Sequence, residues 1–186
     1  MKKLFLILSL CAFAIGSKAQ VTVAEPDFAE QTLVLISDSK GVLLPRESGA
    51  VKAKAAASLY LTGIGKVKSR ITLDGNASKV KVARQGTTRF IIKSVDNLTD
   101  PKSFISFFKF EVKKKKRQAQ IAEVGTFSGS SVNSLSNIDF YAKKYGESSY
   151  LIEIDGLQSG EYGIVLGDPN KLTEKNQFKV TTFSIE

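Results

Sequence analysis

Short stretches that alternate apolar with polar residues recur along most of the chain, and this period of two constrains the fold more than any other feature. Side chains two residues apart lie on the same face of a β-strand, so the alternation predicts half-buried strands. In the stretch KVKSRITL, for example, the basic residues Lys66, Lys68 and Arg70 share one face while mainly apolar residues share the other. The stretches SYLIEI and FKVTTFSI follow the same pattern.

Eleven segments rich in Val, Ile, Phe, Thr and Tyr fit a strand, and turn signals built from Gly, Asn, Asp and Pro separate many of them. The spacing of roughly 8 to 12 residues predicts an all-β fold, an antiparallel Ig-like Greek-key sandwich. We expect residues 50–57 to form a small-residue edge strand rather than a helical turn. The predicted strands are 31–37, 55–62, 65–73, 79–84, 88–95, 104–112, 119–127, 138–143, 149–154, 161–166 and 178–185.

The first 19 residues have the pattern of a signal peptide. Lys2 and Lys3 precede an apolar core at 4–16 that is too short to span a bilayer, and the small residues Ser17 and Ala19 lie three and one positions before a cleavage point at Gln20. The alternatives are a buried helix and a lipoprotein signal ending at Cys11, although Leu10 is not the small residue that such a signal needs. We expect residues 20–186 to form a single exported β-sandwich domain, in the periplasm or at the cell surface, without a transmembrane segment. Residues 20–50 could include a short extended segment.

Missing residue types exclude several chemistries. The chain has no His, and its single Cys lies in the predicted signal peptide. A Ser-His-Asp triad, a Cys-His pair and His/Cys zinc sites therefore cannot be built, and we expect no catalytic, cofactor or metal site. The weaker candidates are a calcium site, a carboxylate pair for glycoside chemistry, glycan-stacking tyrosines and a Ser/Gly/Asn-rich binding loop. The calcium candidates are Asp168, Asn170 and Glu174, and the candidate carboxylates are Glu147, Glu153, Asp155 and Glu161. The candidate stacking residues are Tyr141, Tyr145 and Tyr150, and the candidate loop is 125–137.

Positive charge is concentrated in the middle of the chain. Residues 52–117 contain 17 Lys and Arg against four Asp and Glu, whereas 20–51 and 118–186 are mildly acidic. If the strands concerned are neighbours, basic residues of equal parity form a positive sheet face that attracts phosphate or sulfate groups. The alternative is a solvated polar face, partly neutralised by the acidic flanks. The candidate polyanion contacts are Lys66, Lys68, Arg70, Lys79, Lys81, Arg89 and Lys93, with Lys113, Lys114, Lys115, Lys116 and Arg117 as an accessory.

The run KKKKR at 113–117 is predicted to be the tip of a hairpin. Apolar residues of equal parity precede it up to Val112, and others of equal parity, beginning at Ala122, follow it. A charged loop at such a place needs no special function. We expect no specific nucleic-acid recognition, because the nearby aromatic residues are predicted to lie mostly in the core. These aromatic residues are Tyr60, Phe90, Phe104, Phe107, Phe108 and Phe110.

The stretch GLQSGEYGIV, residues 156–165, contains Leu157, Gly160 and Tyr162 in an L-x-x-G-x-Y arrangement. This resembles the tyrosine corner of fibronectin type III and carboxypeptidase-regulatory-like domains, in which the Tyr hydroxyl bonds to backbone a few residues upstream. The stretches LYLTGIGKVKSRI, VGTFSG, AKKYGESSYLIEI and GEYGIVLGDPN also resemble a group of exported proteins of Bacteroidota-type bacteria that has no established activity. This resemblance implies export and a β-sandwich, and it carries no catalytic residue.

These observations predict a non-catalytic binding or structural module whose basic face contacts polyanions, such as lipopolysaccharide or an acidic glycan. Two alternatives stay open. The protein could be a subunit of an envelope assembly that pairs through an edge strand, or a carboxylate-based enzyme of unknown class.

Overall fold

A computed structural model describes residues 20–62, 64–125, 131–133, 135–167 and 178–186. Within this part strands hold more than half of the residues and helices very few, which confirms the predicted all-β antiparallel sandwich. The Ig-like Greek-key strand order stays a prediction. The predicted signal peptide lies outside the described residues. The strands are β1 Thr32–Ser37, β2 Lys40–Leu43, β3 Arg46–Ala55, β4 Lys66–Asp74, β5 Lys81–Val82, β6 Thr87–Lys93, β7 Ile105–Lys109, β8 Glu111–Lys113, β9 Lys116–Gly125, β10 Ser131–Asn133, β11 Asn137–Ile138, β12 Tyr141–Tyr145, β13 Ser149–Asp155, β14 Gly160–Leu166 and β15 Phe178–Ile185.

One segment that the alternation assigned to a strand is helical. Residues 55–62 were expected to be extended, but a six-residue helix, α1 Ala57–Thr62, connects β3 to β4. Its Ala, Ser and Leu residues are compatible with a helical turn, and the Thr62 hydroxyl donates a 2.8 Å hydrogen bond to the Ser58 carbonyl. A 3-10 turn, Pro101–Ser103, precedes β7.

The strands form two sheets. The smaller sheet has the order β12-β13-β6-β1-β2, and the larger has the order β10-β9-β4-β3-β15-β14-β7-β11, with β5 beside β15 and β8 beside β9. These strand pairs are antiparallel, apart from β5–β15, which is parallel.

The larger sheet curls, so that β7, β14 and β15 are covered on both faces. One apolar cluster packs these strands against the smaller sheet, with Phe90, Phe107 and Phe183 at its centre. A second cluster packs their other face against β3, β4 and β9 through residues such as Phe108 and Ile71. Double coverage explains why β14 and β15 are buried almost continuously instead of alternating. The alternation predicted for FKVTTFSI is therefore wrong beyond Lys179.

The segment before β1 lies on the outer face of the smaller sheet. Val21 and Val23 pack against a third cluster that includes Ile91. The Tyr145 hydroxyl donates to the Val23 carbonyl, and Glu25 accepts a 3.0 Å hydrogen bond from the Ser148 amide. An extended N-terminal segment thus shields one face of this sheet.

The corner between β13 and β14 has the geometry expected of its motif. The Tyr162 hydroxyl donates a 2.5 Å hydrogen bond to the Gln158 carbonyl, four residues upstream. Leu157 is buried, and Gly160 adopts φ 152°, which a side chain would strain. Burial raises the pKa of Tyr162, so this hydroxyl remains a donor at neutral pH.

Candidate anion-binding surface

Five basic side chains share the exposed face of β3 and β4. The register of this strand pair sets Lys52 opposite Arg70 and Lys54 opposite Lys68, and Lys66 has the same parity as Lys68. The other face of the two strands supplies core residues of the second cluster. We call Lys52, Lys54, Lys66, Lys68 and Arg70 the basic face.

Like charges oppose one another directly on the basic face. Residues opposite each other in an antiparallel pair have Cβ atoms about 4.5 to 5.5 Å apart, and like charges at such positions are destabilising. Lys52 and Lys54 are exposed, and no ion pair with a carboxylate of the described residues involves either side chain. The fold therefore holds positive charges together on a solvated surface.

Carboxylates neutralise the basic face only in part. Glu123 on β9 is shared by Lys66 at 2.5 Å and Lys68 at 3.3 Å. The hydrogen bond from Lys66, followed by the one from Lys68, lowers the pKa of Glu123. The 2.6 Å ion pair with Lys113 is the main cause of the lowered pKa of Glu111, and Arg70 makes a smaller contribution. Excess positive charge therefore remains on this surface.

A cleft opens beside the basic face, between the ends of β3 and β4 and the helix α1. Its volume is about 540 Å³, and its lining includes four basic residues together with Ser58. The four basic residues are Lys54, Lys66, Lys68 and Arg70. Ammonium and guanidinium groups around a cleft are the donors that phosphate and sulfate oxygens accept.

The remaining predicted contacts do not join this surface. Lys81 lies on β5 and pairs with Glu186 at 2.5 Å, and that bond raises the pKa of Lys81. Lys79, just before β5, is exposed and interacts electrostatically with Glu47. The condition for a shared positive face is not met here, because β5 lies beside β15 and not beside β4.

The predicted contacts of β6 belong to the smaller sheet. Arg89 forms a 2.5 Å ion pair with Asp38, and Lys93 lies near Glu25. Both basic residues are half-buried. Their partners come from the acidic N-terminal segment, so the acidic flank neutralises part of the basic middle.

The run at 113–117 is the tip of the β8–β9 hairpin, as predicted. Lys113 lies opposite Lys116, and Lys114 and Lys115 form the turn between them. Lys113 pairs with Glu111 at 2.6 Å, and Lys116 approaches Asp74 at 3.5 Å.

Arg117 does not belong to this tip surface, because its side chain is only 1% exposed. Its two terminal nitrogens donate to both carboxylate oxygens of Glu47, at 3.1 and 2.6 Å. It also donates to the carbonyls of Asp74 and Gly75, at 3.1 and 3.3 Å, and lies over the Phe110 ring. Arg117 therefore fixes the turn after β4 to the core and is inaccessible to a polyanion.

The carboxylate partner of Arg117 is itself part of a hydrogen-bonded network. Glu47 accepts from the Thr182 hydroxyl, and Glu161 lies 4.0 Å from Arg117 while accepting from Ser78 and Ser184. Burial raises the pKa of Glu47, but the bonds from Arg117 and Thr182 outweigh it and hold that pKa below the usual range. These bonds link β3, β9, β14 and β15.

The other candidate carboxylates have separate partners. Glu153 lies 3.8 Å from Lys143, Asp155 accepts from the Thr87 hydroxyl, and Glu147 is exposed. Among the residues that the structure describes, no cluster of three or more acidic or metal-binding side chains is placed to hold a metal ion. The calcium candidates Asp168, Asn170 and Glu174 lie outside the described residues, as do 126–130 and 134 of the candidate loop.

The candidate tyrosines differ in exposure. Tyr145 and Tyr150 are hydrogen-bonded to backbone carbonyls, whereas Tyr141 is 72% exposed. The aromatic residues near the basic stretch are buried or half-buried, as expected, apart from Tyr60, which is 80% exposed. The interpretation of Tyr60 as a core residue is wrong, because it lies on α1 and not on a sandwich strand.

Lys52 and Lys54 were not among the predicted contacts. The sequence signal that identifies them is the alternation VKAKA at 51–55. In a strand this alternation places both lysines on the same face, the exposed one. Their opposition to Arg70 and Lys68 depends on register, which a single strand does not reveal.

No protein-family model matches the chain, and no curated protein or solved structure gives a significant match. Across the described ranges, none of the helical segments has the length and apolar character needed to cross a membrane. Function is therefore inferred from the site alone.

Proposed function

We propose that this protein is an exported, non-catalytic binding module whose basic face contacts polyanions, such as the phosphates of lipopolysaccharide or an acidic glycan. The observation that carries the proposal is the direct opposition of Lys52 to Arg70 and of Lys54 to Lys68 on an exposed sheet face. An anion placed between such pairs removes their mutual repulsion and gains charge-assisted hydrogen bonds.

Several basic residues outside the basic face have individual carboxylate partners. Arg89, Lys81 and Arg117 each pair with a carboxylate from an acidic flank of the sequence. On the basic face, Glu123 is shared by two lysines, and five positive charges remain close together. This contrast supports a ligand for this face rather than general solvation.

The two alternatives have less support. An assembly subunit would offer a sheet edge, and β12 is one, but Lys143 and Lys144 on it are the kind of residue that blocks edge-to-edge pairing. A carboxylate enzyme needs two facing carboxyl groups, and Glu153 and Asp155 are each held by a different neighbour.

The test is binding of residues 20–186 to heparin and to lipopolysaccharide as salt is raised. Binding should weaken steeply with salt, because the Debye length falls from about 10 Å at 0.1 M to about 3 Å at 1 M. The triple variant Lys52→Gln/Lys54→Gln/Arg70→Gln should lower the affinity about 100-fold, at about 1 kcal/mol per basic residue.

The matched control removes the same charge from exposed lysines elsewhere: Lys40→Gln/Lys143→Gln/Lys144→Gln. It should retain nearly the affinity of the unsubstituted chain. Equal loss in both triple variants would show that net charge, and not the basic face, determines binding. Absence of binding to either ligand at low salt would refute the proposal.

A further inference from the structure

The connection between β3 and β4 carries three large apolar side chains that project into solvent. Tyr60, Leu61 and Ile64 are 80%, 85% and 52% exposed. Single apolar residues on a surface are ordinary, whereas a contiguous exposed group marks an interaction site. We call these three residues the apolar tip.

The apolar tip is built into a defined turn at the end of the β3–β4 pair. The Ala56 amide donates a 2.9 Å hydrogen bond to the Lys66 carbonyl, which closes the strand pair just before α1. After the helix, the Ile64 amide donates to the Thr62 hydroxyl at 3.3 Å. These bonds hold the apolar side chains at the end of the hairpin, away from the sandwich.

The basic face begins directly behind the apolar tip. Lys66 follows Ile64 by two residues. Lys68 lies two residues further along β4, where it is opposite Lys54 on β3. Since a strand advances about 3.3 Å per residue, these lysines lie within about 7 Å of one another along the strand direction. Four of the basic side chains also line the cleft against α1.

Exposed apolar side chains at the end of a hairpin, with the basic face next to them, match the surface of an anionic bilayer. There apolar groups reach the acyl boundary, and Lys and Arg contact the phosphates while their alkyl stems cover apolar surface. A water-soluble polyanion would engage the cations but would leave Tyr60, Leu61 and Ile64 in water. The charge complementarity and the apolar tip together therefore favour a lipid surface.

We propose that the apolar tip inserts into the interface of an anionic lipid bilayer while the basic face contacts the lipid phosphates. This inference rests on the proposed function, because it assigns the anion of the basic face to a lipid headgroup. It adds a second contact, made by Tyr60, Leu61 and Ile64, that a free polyanion would not use.

The chain lacks Trp, so a single substitution provides a reporter at the tip. Tyr60→Trp is compared with Tyr141→Trp, since both tyrosines are highly exposed but Tyr141 lies on an edge of the smaller sheet. Each variant is mixed with vesicles of phosphatidylcholine alone or of equal parts phosphatidylglycerol and phosphatidylcholine. With the anionic vesicles only, the emission of the Tyr60→Trp protein should shift to the blue and be quenched by brominated acyl chains. The Tyr141→Trp protein should show neither change.

A second variant separates the apolar contact from the ionic one. Leu61→Ser should lower partitioning into the anionic vesicles about tenfold, for partial transfer of a leucine side chain out of water. It should leave heparin affinity unchanged. Because Leu61 is exposed, the substitution removes no core contact.

Three results would overturn the inference. Salt-dependent vesicle binding with unchanged Tyr60→Trp emission would show that cations alone make the contact, and the proposed function would stand. A blue shift that depends on protein concentration without vesicles would assign the tip to a second copy of the chain. Absence of binding to both vesicles and heparin would refute the inference and the proposed function together.

Discussion

Replacing Arg117 by Met should destabilise the fold strongly, although Arg117 ends a run of surface lysines. The guanidinium makes two hydrogen bonds to Glu47 and two to backbone carbonyls, and it is 1% exposed. Removing one partner of a buried pair costs about 3–5 kcal/mol, because the other charge is left without compensation. Glu47 keeps its Thr182 bond and is partly exposed, so we expect the lower end, about 3 kcal/mol.

The assay is urea denaturation followed by far-ultraviolet circular dichroism, with the dependence on denaturant checked to be unchanged. Arg117→Lys should recover only part of the loss, since an ammonium cannot form the two parallel bonds to Glu47. Lys115→Met is the matched control, because Lys115 lies on the exposed turn of the same run, and it should change stability by less than about 0.5 kcal/mol.

The double variant Arg117→Met/Glu47→Leu tests whether the ion pair or mere packing is responsible. It should be less destabilising than the sum of the two single variants, because no charge is left unpaired. If Arg117→Met is as mild as Lys115→Met, the reasoning from burial and hydrogen bonding is wrong.

Three further substitutions test other features of the fold. Tyr162→Phe removes the bond to the Gln158 carbonyl and should cost about 1 kcal/mol, measured as a lowered denaturation midpoint. Lys114→Gly should stabilise by about 1 kcal/mol in the same titration, because Lys114 adopts φ 56°, which disfavours residues with a Cβ. The pKa of Glu47 lies below that of an unfolded glutamate. Its stabilisation is therefore complete above about pH 4.3 and lost as pH falls through the lowered folded value, so Glu47→Gln should flatten the decline of unfolding free energy between about pH 5 and 3.

Each of these three substitutions has a result that would contradict the prediction, and two of them have a matched control variant. Tyr141→Phe, at an exposed edge position, should be neutral, and an equal loss there would remove the special role of the corner hydroxyl. Lys115→Gly should not stabilise, and a gain equal to that of Lys114→Gly would indicate general loop effects. An unchanged pH profile in Glu47→Gln would mean that other carboxylates control acid sensitivity.

The period-two pattern predicts strands well where one face is solvated and less well elsewhere. It locates β4 within a residue or two and places Lys66, Lys68 and Arg70 together. It does not predict that β14 and β15 are covered on both faces, because the curling of a sheet depends on tertiary packing and not on the sequence of one strand. It also assigns α1 to a strand, because Leu and Tyr in SLYLT suit a strand as well as a helix.

Arg117 illustrates how parity fails at a bulge. Counting back from Ala122 puts Arg117 on the outer face, but the register shifts between β4 and β9 where Ser69 opposes Ala122 and Arg70 opposes Gln120. Ile121 is the additional residue of this bulge. On the N-terminal side of Ile121, odd-numbered side chains of β9 therefore point toward the core, instead of the even-numbered ones. Arg117 consequently opposes Leu73 and shares the buried face with Ala119.

The central claim is that one surface, the basic face, takes the anion. The most direct measurement is a titration of residues 20–186 with inorganic polyphosphate, followed by the chemical shifts of assigned backbone amides. The shifts should be largest at 52–54 and 66–70. Largest shifts at the hairpin tip 113–116 or around Arg89 and Lys93, or no saturable shifts at low salt, would contradict the claim.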